Sequence, residues 1–280
     1  MPTYRIRFFL GSPLCFPNNK PIRMPTLDAF FAYIWMKEHG YTKTPAEDIR
    51  KNLVFPELPI NRIGKCYLAS SMLLPETCTV SEDNLIRPNN WIASVGKQDA
   101  SFRISATTNN VSCTRNFWVK TRLVSAPYVD FYVETDNFAD ICPYLEAMNG
   151  GFIGHKRDIG FGRIVDISAK KLPFGRAIVN NRGVPLRPLP ADEPEFQRIV
   201  AEHTPVEPAT YYAPYWIPEN QVPCFMPPPS AILPKGASMA QLEQNLASGF
   251  ERRLEAAEKA KAKKIEKKTS RKRTARRKAV

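Results

Sequence analysis

The residues whose types and spacing can do chemistry are concentrated in one stretch, Gly150-Gly-Phe-Ile-Gly-His-Lys-Arg-Asp-Ile-Gly-Phe-Gly-Arg163. It holds five of the chain's 13 glycines within fourteen residues. Gly154 is followed by five residues and then by Gly160-Phe161-Gly162. Glycine tolerates positive φ and close backbone approach, so amide N–H groups in such a loop can converge on a phosphate. His155, Lys156 and Arg157 place hydrogen-bonding and cationic groups between the glycines. The stretch is not a Walker loop, because no Gly-Lys-Ser/Thr opens a helix, and it lacks the Gly-x-Gly-x-x-Gly order. The plainer reading of the same residues is a tight helix-to-strand connection without a ligand.

Acid–base chemistry has two candidate pairs, His39 with Tyr41 and His155 with Lys156. General acid–base catalysis needs one group to take a proton and another to give one, which such pairs can supply. Neither pair stands in a recognisable catalytic constellation, and His39 is equally well explained as a helix C-terminal cap favoured by the dipole. Cys15, Cys66, Cys78, Cys113, Cys142 and Cys224 are widely spaced with no C-x-x-C, and histidines number three. No metal site and no other cofactor is expected from that pattern. Six reduced, mostly buried thiols in a cytoplasmic protein are expected instead.

Charge is distributed unevenly. The 280 residues carry 40 Lys+Arg against 27 Asp+Glu, a net of +13. Residues 251–280 hold 14 Lys+Arg against 4 Asp+Glu, so the net charge of residues 1–250 is only +3. The excess points to an anionic partner, nucleic acid first, and Arg271, Lys272 and Arg273 in the tail are candidates to meet it. No apolar run of transmembrane length and no secretory leader is evident, so no membrane partner is expected.

The elements that must position the loop follow from periodicity. Residues 4–10 alternate as a strand, with Tyr4, Ile6 and Phe8 on one face and Arg5 and Arg7 on the other. Gly11–Pro25, with four prolines, is expected to be loop. Thr26 caps a helix carrying Leu27, Phe30, Phe31, Ile34 and Trp35, which Gly40 stops. Residues 63–74 are expected to form a half-buried strand. Residues 75–125 read as a polar insertion of short strands or a hairpin. Tyr128–Glu134 alternates again, and Asp136 or Asn137 caps a helix bearing Phe138, Ile141, Leu145 and Met148. A further strand covers Arg163–Ser168. This order predicts an α+β, ferredoxin-like (RRM-like) domain over residues 1–170, an antiparallel sheet backed by two helices.

Between Lys171 and Pro234 lie 14 of the 26 prolines, which is expected to preclude long helices and central strands. Tyr211, Tyr212, Tyr215, Trp216 and Phe225 are nevertheless too aromatic for a free linker. Residues 171–236 are therefore expected to lie extended over the domain. Residues 237–280 predict a helix, opened by a capping box at Ser238–Gln241, that runs into the basic tail.

The form Gly-x5-Gly-Phe-Gly, between the second helix and last strand of a ferredoxin-like domain, resembles the RAMP superfamily of CRISPR proteins. Met24-Pro-Thr-Leu-Asp-Ala-Phe-Phe-Ala-Tyr33, opening the first helix, resembles the subunit that caps the 5′ handle of the guide RNA, in its type IV effector version. The resemblance covers roughly residues 1–170. It implies a non-catalytic subunit between the filament (backbone) subunits and the large subunit, assembled on guide RNA for recognition of target DNA. It further implies that Gly154, His155, Lys156, Arg157, Gly160, Gly162 and Arg163 approach the RNA, and that the 75–125 insertion is a thumb. Arg103, Arg115 and Lys120, interleaved with aromatics, are the thumb candidates. The enzymatic alternative is a RAMP endoribonuclease using His39 or His155 on repeat RNA. A second alternative is a general basic RNA-binding protein that works through its tail.

Overall fold

A computed structural model describes residues 1–17, 24–41, 55–87, 117–173, 175–215, 217 and 220–228. Arg103, Arg115, the 237–280 helix and tail with Arg271, Lys272 and Arg273, and Trp216 lie outside the described residues. The chain is α+β, with small antiparallel sheets and few helices. No helix among the described residues is long and apolar enough to cross a membrane.

Strand β1 (Thr3–Leu10) is the centre of the main sheet, as the alternation of its buried Ile6 and Phe8 predicts. Strand β2 (Leu14–Pro17) follows a turn at Gly11–Pro13, and helix α1 covers Leu27–Glu38. The expectation of loop throughout Gly11–Pro25 is corrected here. Pro13 and Pro17 flank rather than interrupt Leu14–Phe16, so those residues keep the N–H groups a ladder needs.

Residues 63–74 do not form the single strand expected. Strands β3 (Arg62–Ile63) and β4 (Cys66–Tyr67) make a two-residue hairpin around Gly64, whose φ of +56° suits the turn. Residues 68–73 then pair irregularly, because the Ser70 hydroxyl accepts the Tyr132 N–H and the Ser70 carbonyl accepts Leu27 N–H at the start of α1.

The insertion is built on strands β5 (Thr79–Arg87) and β6 (Phe117–Ser125), paired antiparallel over nine residues, longer than the short strands expected. Strand β6 also pairs with β2, giving the order β2-β6-β5. Lys120 lies on β6 opposite Asn84.

Strand β7 (Tyr128–Glu134) buries Val129, Phe131 and Val133 in alternation. Asn137 caps the next element by accepting Ala139 N–H at 3.2 Å. A 3-10 turn, Phe138–Ile141, precedes helix α2 (Cys142–Met148). Pro143 accounts for the break, since it has no N–H to donate to the carbonyl four residues back. Strand β8 (Ile164–Leu172) returns along β1 and runs four residues past the expected end.

Strand β1 lies antiparallel between β7 and β8. Residues 68–73 extend this sheet beyond β7 through Glu134 N–H to Leu68, Ser70 N–H to Tyr132 and a reciprocal Leu73–Asp130 pair. The spatial order is thus β8, β1, β7, then 68–73. Helices α1 and α2 cover one face, with Phe30 edge-on to Phe131 and Phe31 stacked on Tyr144.

The proline-rich segment is folded. Strand β9 (Leu189–Pro190), helix α3 (Pro194–Ile199), strand β10 (Val206–Thr210) and strand β11 (Gln221–Phe225) enclose a second, smaller core with Cys66, Leu68 and Tyr132. Strand β11 is central in the order β10-β11-β9, contrary to the expectation that proline would preclude a central strand. Pro223 stands directly opposite Pro208, a placement that fits only a non-hydrogen-bonded ladder position, where neither missing N–H is required. The Pro223 carbonyl still accepts from Ala191 at 2.9 Å.

This segment is fastened by one buried cation. Arg187 is 0% exposed and Asp28, in the first turn of α1, is 1% exposed. Its guanidinium donates to Asp28 at 2.9 and 3.3 Å, to the Tyr67 and Ala69 carbonyls at 2.7 and 2.9 Å, to the Tyr211 carbonyl at 2.5 Å and to the Tyr215 hydroxyl at 3.0 Å. The Tyr215 hydroxyl donates in turn to Asp28. Desolvation opposes the buried charge, but the surrounding groups together, Asp28 foremost, outweigh it and hold Arg187 protonated. Tyr215 is kept a phenol, its ionisation pushed up first by burial. A second clasp joins Thr3 Oγ1 to the Gly175 carbonyl at 2.8 Å and Ala177 N–H to Glu134 Oε1 at 2.7 Å.

Both clasps can be probed by substitution. Arg187→Ala leaves Asp28 charged, buried and unpaired, and should lower unfolding free energy in urea by about 3–5 kcal/mol. The joint Asp28→Leu/Arg187→Met variant should recover part of that loss by removing both charges. Burial raises the Glu134 pKa above its ordinary value. The folded state therefore binds this proton more tightly than the unfolded one, so the ionised carboxylate opposes folding at pH 7 and ceases to as pH falls through the folded pKa. Glu134→Gln keeps an acceptor for Ala177. It should be at least as stable as wild type at pH 7 by thermal denaturation, with the difference vanishing below about pH 4.

Candidate nucleic-acid interface

The glycine loop joins α2 to β8, and its shape is imposed by the turn between β1 and β2. Ile153 N–H donates to the Gly162 carbonyl at 2.9 Å and Ile164 N–H to Gly151 at 2.8 Å, closing the two ends of the loop on each other. Gly162 N–H donates to Pro13 at 2.8 Å and His155 N–H to Cys15 at 3.2 Å. Ser12 bridges both limbs: its hydroxyl donates to Gly160 and accepts from Arg163 N–H, each at 2.8 Å. Buried Ile153 and Leu14 fill the space beneath.

The glycines divide by role. A side chain on Gly162 would overlap the Ile153 carbonyl oxygen outright, and φ is +70°. Gly162 is therefore required by packing, and its amide is already used. Gly160 has φ of +96°, but a methyl group placed there would meet nothing within 4 Å, so only backbone conformation demands glycine. Gly154, with φ of +89°, would bring a methyl group to 3.6 Å from the Cys15 carbonyl, an ordinary contact.

The central residue is Lys156, which adopts left-handed φ and ψ of 57° and 37° without being glycine. It is followed by the single 3-10 turn Arg157–Ile159. A left-handed residue followed by a right-handed one turns successive N–H groups toward one concavity, a geometry that suits an anion. The amides of Lys156, Arg157 and Asp158 make no hydrogen bond among the described residues. The ion pairs among those residues are Arg7–Asp130 and Arg187–Asp28, so Lys156 and Arg157 have no carboxylate partner there. A depression of about 600 Å3 is lined by Phe152, Gly154, His155, Lys156, Arg157 and Asp158. Beneath it, burial pushes the Cys15 thiol up to about 11, with Lys156 partly offsetting, so Cys15 is a packed thiol rather than a nucleophile.

The loop thus gathers Gly154, His155, Lys156 and Arg157, while Arg163 projects from its far limb with an exposed side chain. His155 is exposed. His39 does not join this group through any described contact: its Nδ1 lies 2.8 Å from the Trp35 carbonyl at the end of α1, and its ring stacks on Trp35 at 4.0 Å. Tyr41 also stacks on Trp35, at 5.8 Å. Arg7 on the outer sheet face is taken by Asp130, both contacts at 2.8 Å, and lies over Tyr128 at 3.5 Å. Among the described residues no group of three or more His, Cys, Asp or Glu side chains can hold a metal.

Sequence reasoning missed Tyr33 and Phe152 as surface features. Tyr33 is 51% exposed on α1, with the Arg157 guanidinium 5.6 Å from its ring centre. Phe152 is 39% exposed on the wall of the depression. A signal was present for both, since Tyr33 falls off the apolar stripe of α1 and Phe152 alternates with the inward Ile153.

The two glycine roles separate by substitution. Gly160→Ala should cost about 1–2 kcal/mol, the ordinary penalty for a side chain in left-handed backbone. Gly162→Ala adds a backbone overlap, and should cost more than about 3 kcal/mol in urea unfolding. No protein-family model matches the chain and no curated protein does, so its functional reading rests on the geometry of this loop.

Proposed function

We propose that the chain is a guide-RNA-binding structural subunit, holding the 5′ handle of the guide in a type IV CRISPR effector ribonucleoprotein. The observation that carries this reading is the Lys156–Asp158 amide concavity with Lys156 and Arg157 beside it. A phosphodiester fits it by charge and by the number of donors offered. On this reading the sheet is ferredoxin-like: the order β8, β1, β7, 68–73, all antiparallel with both helices on one face, is the order of a split βαβ pair. The glycine loop then occupies the connection from second helix to last strand, and the β5–β6 ladder is the stem of a thumb.

The partners on this reading are guide RNA, filament subunits, the large subunit and, in the assembled complex, target DNA. The chain would bind RNA and do no covalent chemistry.

Co-expression with a CRISPR array and the neighbouring effector subunits tests the reading. The chain should be recovered with guide RNA, and Lys156→Ala/Arg157→Ala should reduce that recovery about tenfold or more while leaving the melting temperature unchanged. Deleting residues 255–280 should instead lower general affinity for RNA and DNA and flatten its salt dependence. Specific, metal-independent cleavage of repeat RNA that disappears in His39→Ala or His155→Ala would transfer the chain to the endoribonuclease class.

A further inference from the structure

We infer that the depression on the glycine loop takes one unpaired, unstacked base of the RNA against the Phe152 ring, with an adjoining phosphate on the Lys156–Asp158 amides. The inference rests on the reading of the chain as an RNA-binding subunit and adds to it a requirement for single-stranded RNA.

Three observations carry it. Phe152 is exposed on fixed backbone, because it forms a bridge with Arg163 and its neighbours Gly151 and Ile153 are both hydrogen-bonded across the loop. Its ring is therefore presented rather than merely uncovered. Of the six exposed large hydrophobic residues among those described, three belong here: Phe152 and Ile159 on the loop and Tyr33 beside Arg157. Such a concentration on one basic surface is unlike the scattered exposed side chains of an ordinary protein surface.

The third observation is Asp158. Its carboxylate lines the same depression as Lys156 and Arg157 and cancels one of their charges. Coulombic attraction for a phosphate is thereby reduced, so charge supplies only part of the hold. A base stacked on an aromatic ring adds about tenfold in affinity, a contribution of the same order as that of the two cations. Bases within a duplex present no free face, so a depression built on stacking selects a single strand.

Full-length protein is titrated at one salt concentration with three ligands of about 12 nucleotides: a single-stranded RNA, its abasic ribose-phosphate counterpart, and the same RNA annealed to its complement. Wild type should prefer the base-bearing single strand over the abasic one by about tenfold. Phe152→Ala should abolish that preference while leaving the abasic affinity unchanged, and Phe152→Tyr should restore it. Should Phe152→Ala unfold, Phe152→Leu keeps the apolar bulk, removes the π face and should lose most of the preference. Equal binding of base-bearing and abasic strands by wild type, or an undiminished preference in folded Phe152→Ala or Phe152→Leu, overturns the inference. The Lys156→Ala/Arg157→Ala variant separates the two levels. If it weakens all three ligands, the RNA-binding reading stands even where stacking fails; if it weakens none, that reading falls as well.

Discussion

The Asp28–Arg187 pair is the constraint on which the rest of the structure depends. A guanidinium with no solvent exposure is tolerable only when its charge is matched and most of its donors are used; in Arg187 both terminal nitrogens are bonded and Nε alone has no partner. Here Asp28 comes from α1, the Tyr67 and Ala69 carbonyls from the edge of the main sheet, and the Tyr211 carbonyl and Tyr215 hydroxyl from the proline-rich segment. One side chain, 159 residues beyond its counterion, thereby fixes the start of the first helix, the outermost strand and the proline-rich segment to which it belongs. The Thr26 hydroxyl, which forms no cap bond on α1, lies 3.1 Å from the Tyr215 hydroxyl instead. Local helix chemistry has been given up for a long-range contact.

The same logic of shared supports applies at the glycine loop. The loop does not hold itself: Ser12 and Pro13 on the β1–β2 turn and Cys15 on β2 supply three of its fixed points. That turn is in turn anchored by β2 pairing with β6, the inner strand of the insertion. Displacement of the insertion would therefore be felt at the loop through β2. A concavity braced in this way keeps its amides oriented before any anion arrives, so binding need not order them.

Much of this was legible in the sequence because it is local. Period-two alternation located β1 and β7, the cap at Asp136 or Asn137 lies beside the element it opens, and the density of glycine located the loop, whereas the break at Pro143 was not read. What was not legible depends on partners far apart. Nothing near Arg187 marks it as buried, since its counterion is 159 residues away. Leu14–Phe16 reads as loop among prolines and becomes strand only because β6 is there to receive it. Pro223 reads as a strand breaker until Pro208 stands opposite. The split among the glycines was equally hidden: Gly162 serves the Ile153 carbonyl while Gly160 serves only the backbone, and both read identically in the motif.

The electrostatics divide in a way the total charge conceals. On the proposed reading, the +10 of the last thirty residues contributes through counterion release, which requires no defined contact. The remaining 250 residues carry only +3, and inside them Arg187 and Arg7 are already spent on Asp28 and Asp130. Those two pairs leave the net charge unchanged, so residues 1–250 carry no large cationic excess, and at the loop Asp158 offsets part of the charge of Lys156 and Arg157. On the proposed reading, selectivity on this surface comes from directed groups, amides held by a left-handed lysine and rings held by a closed loop. On the proposed reading the tail raises the local concentration of nucleic acid, and the loop chooses which strand and which end of it to keep.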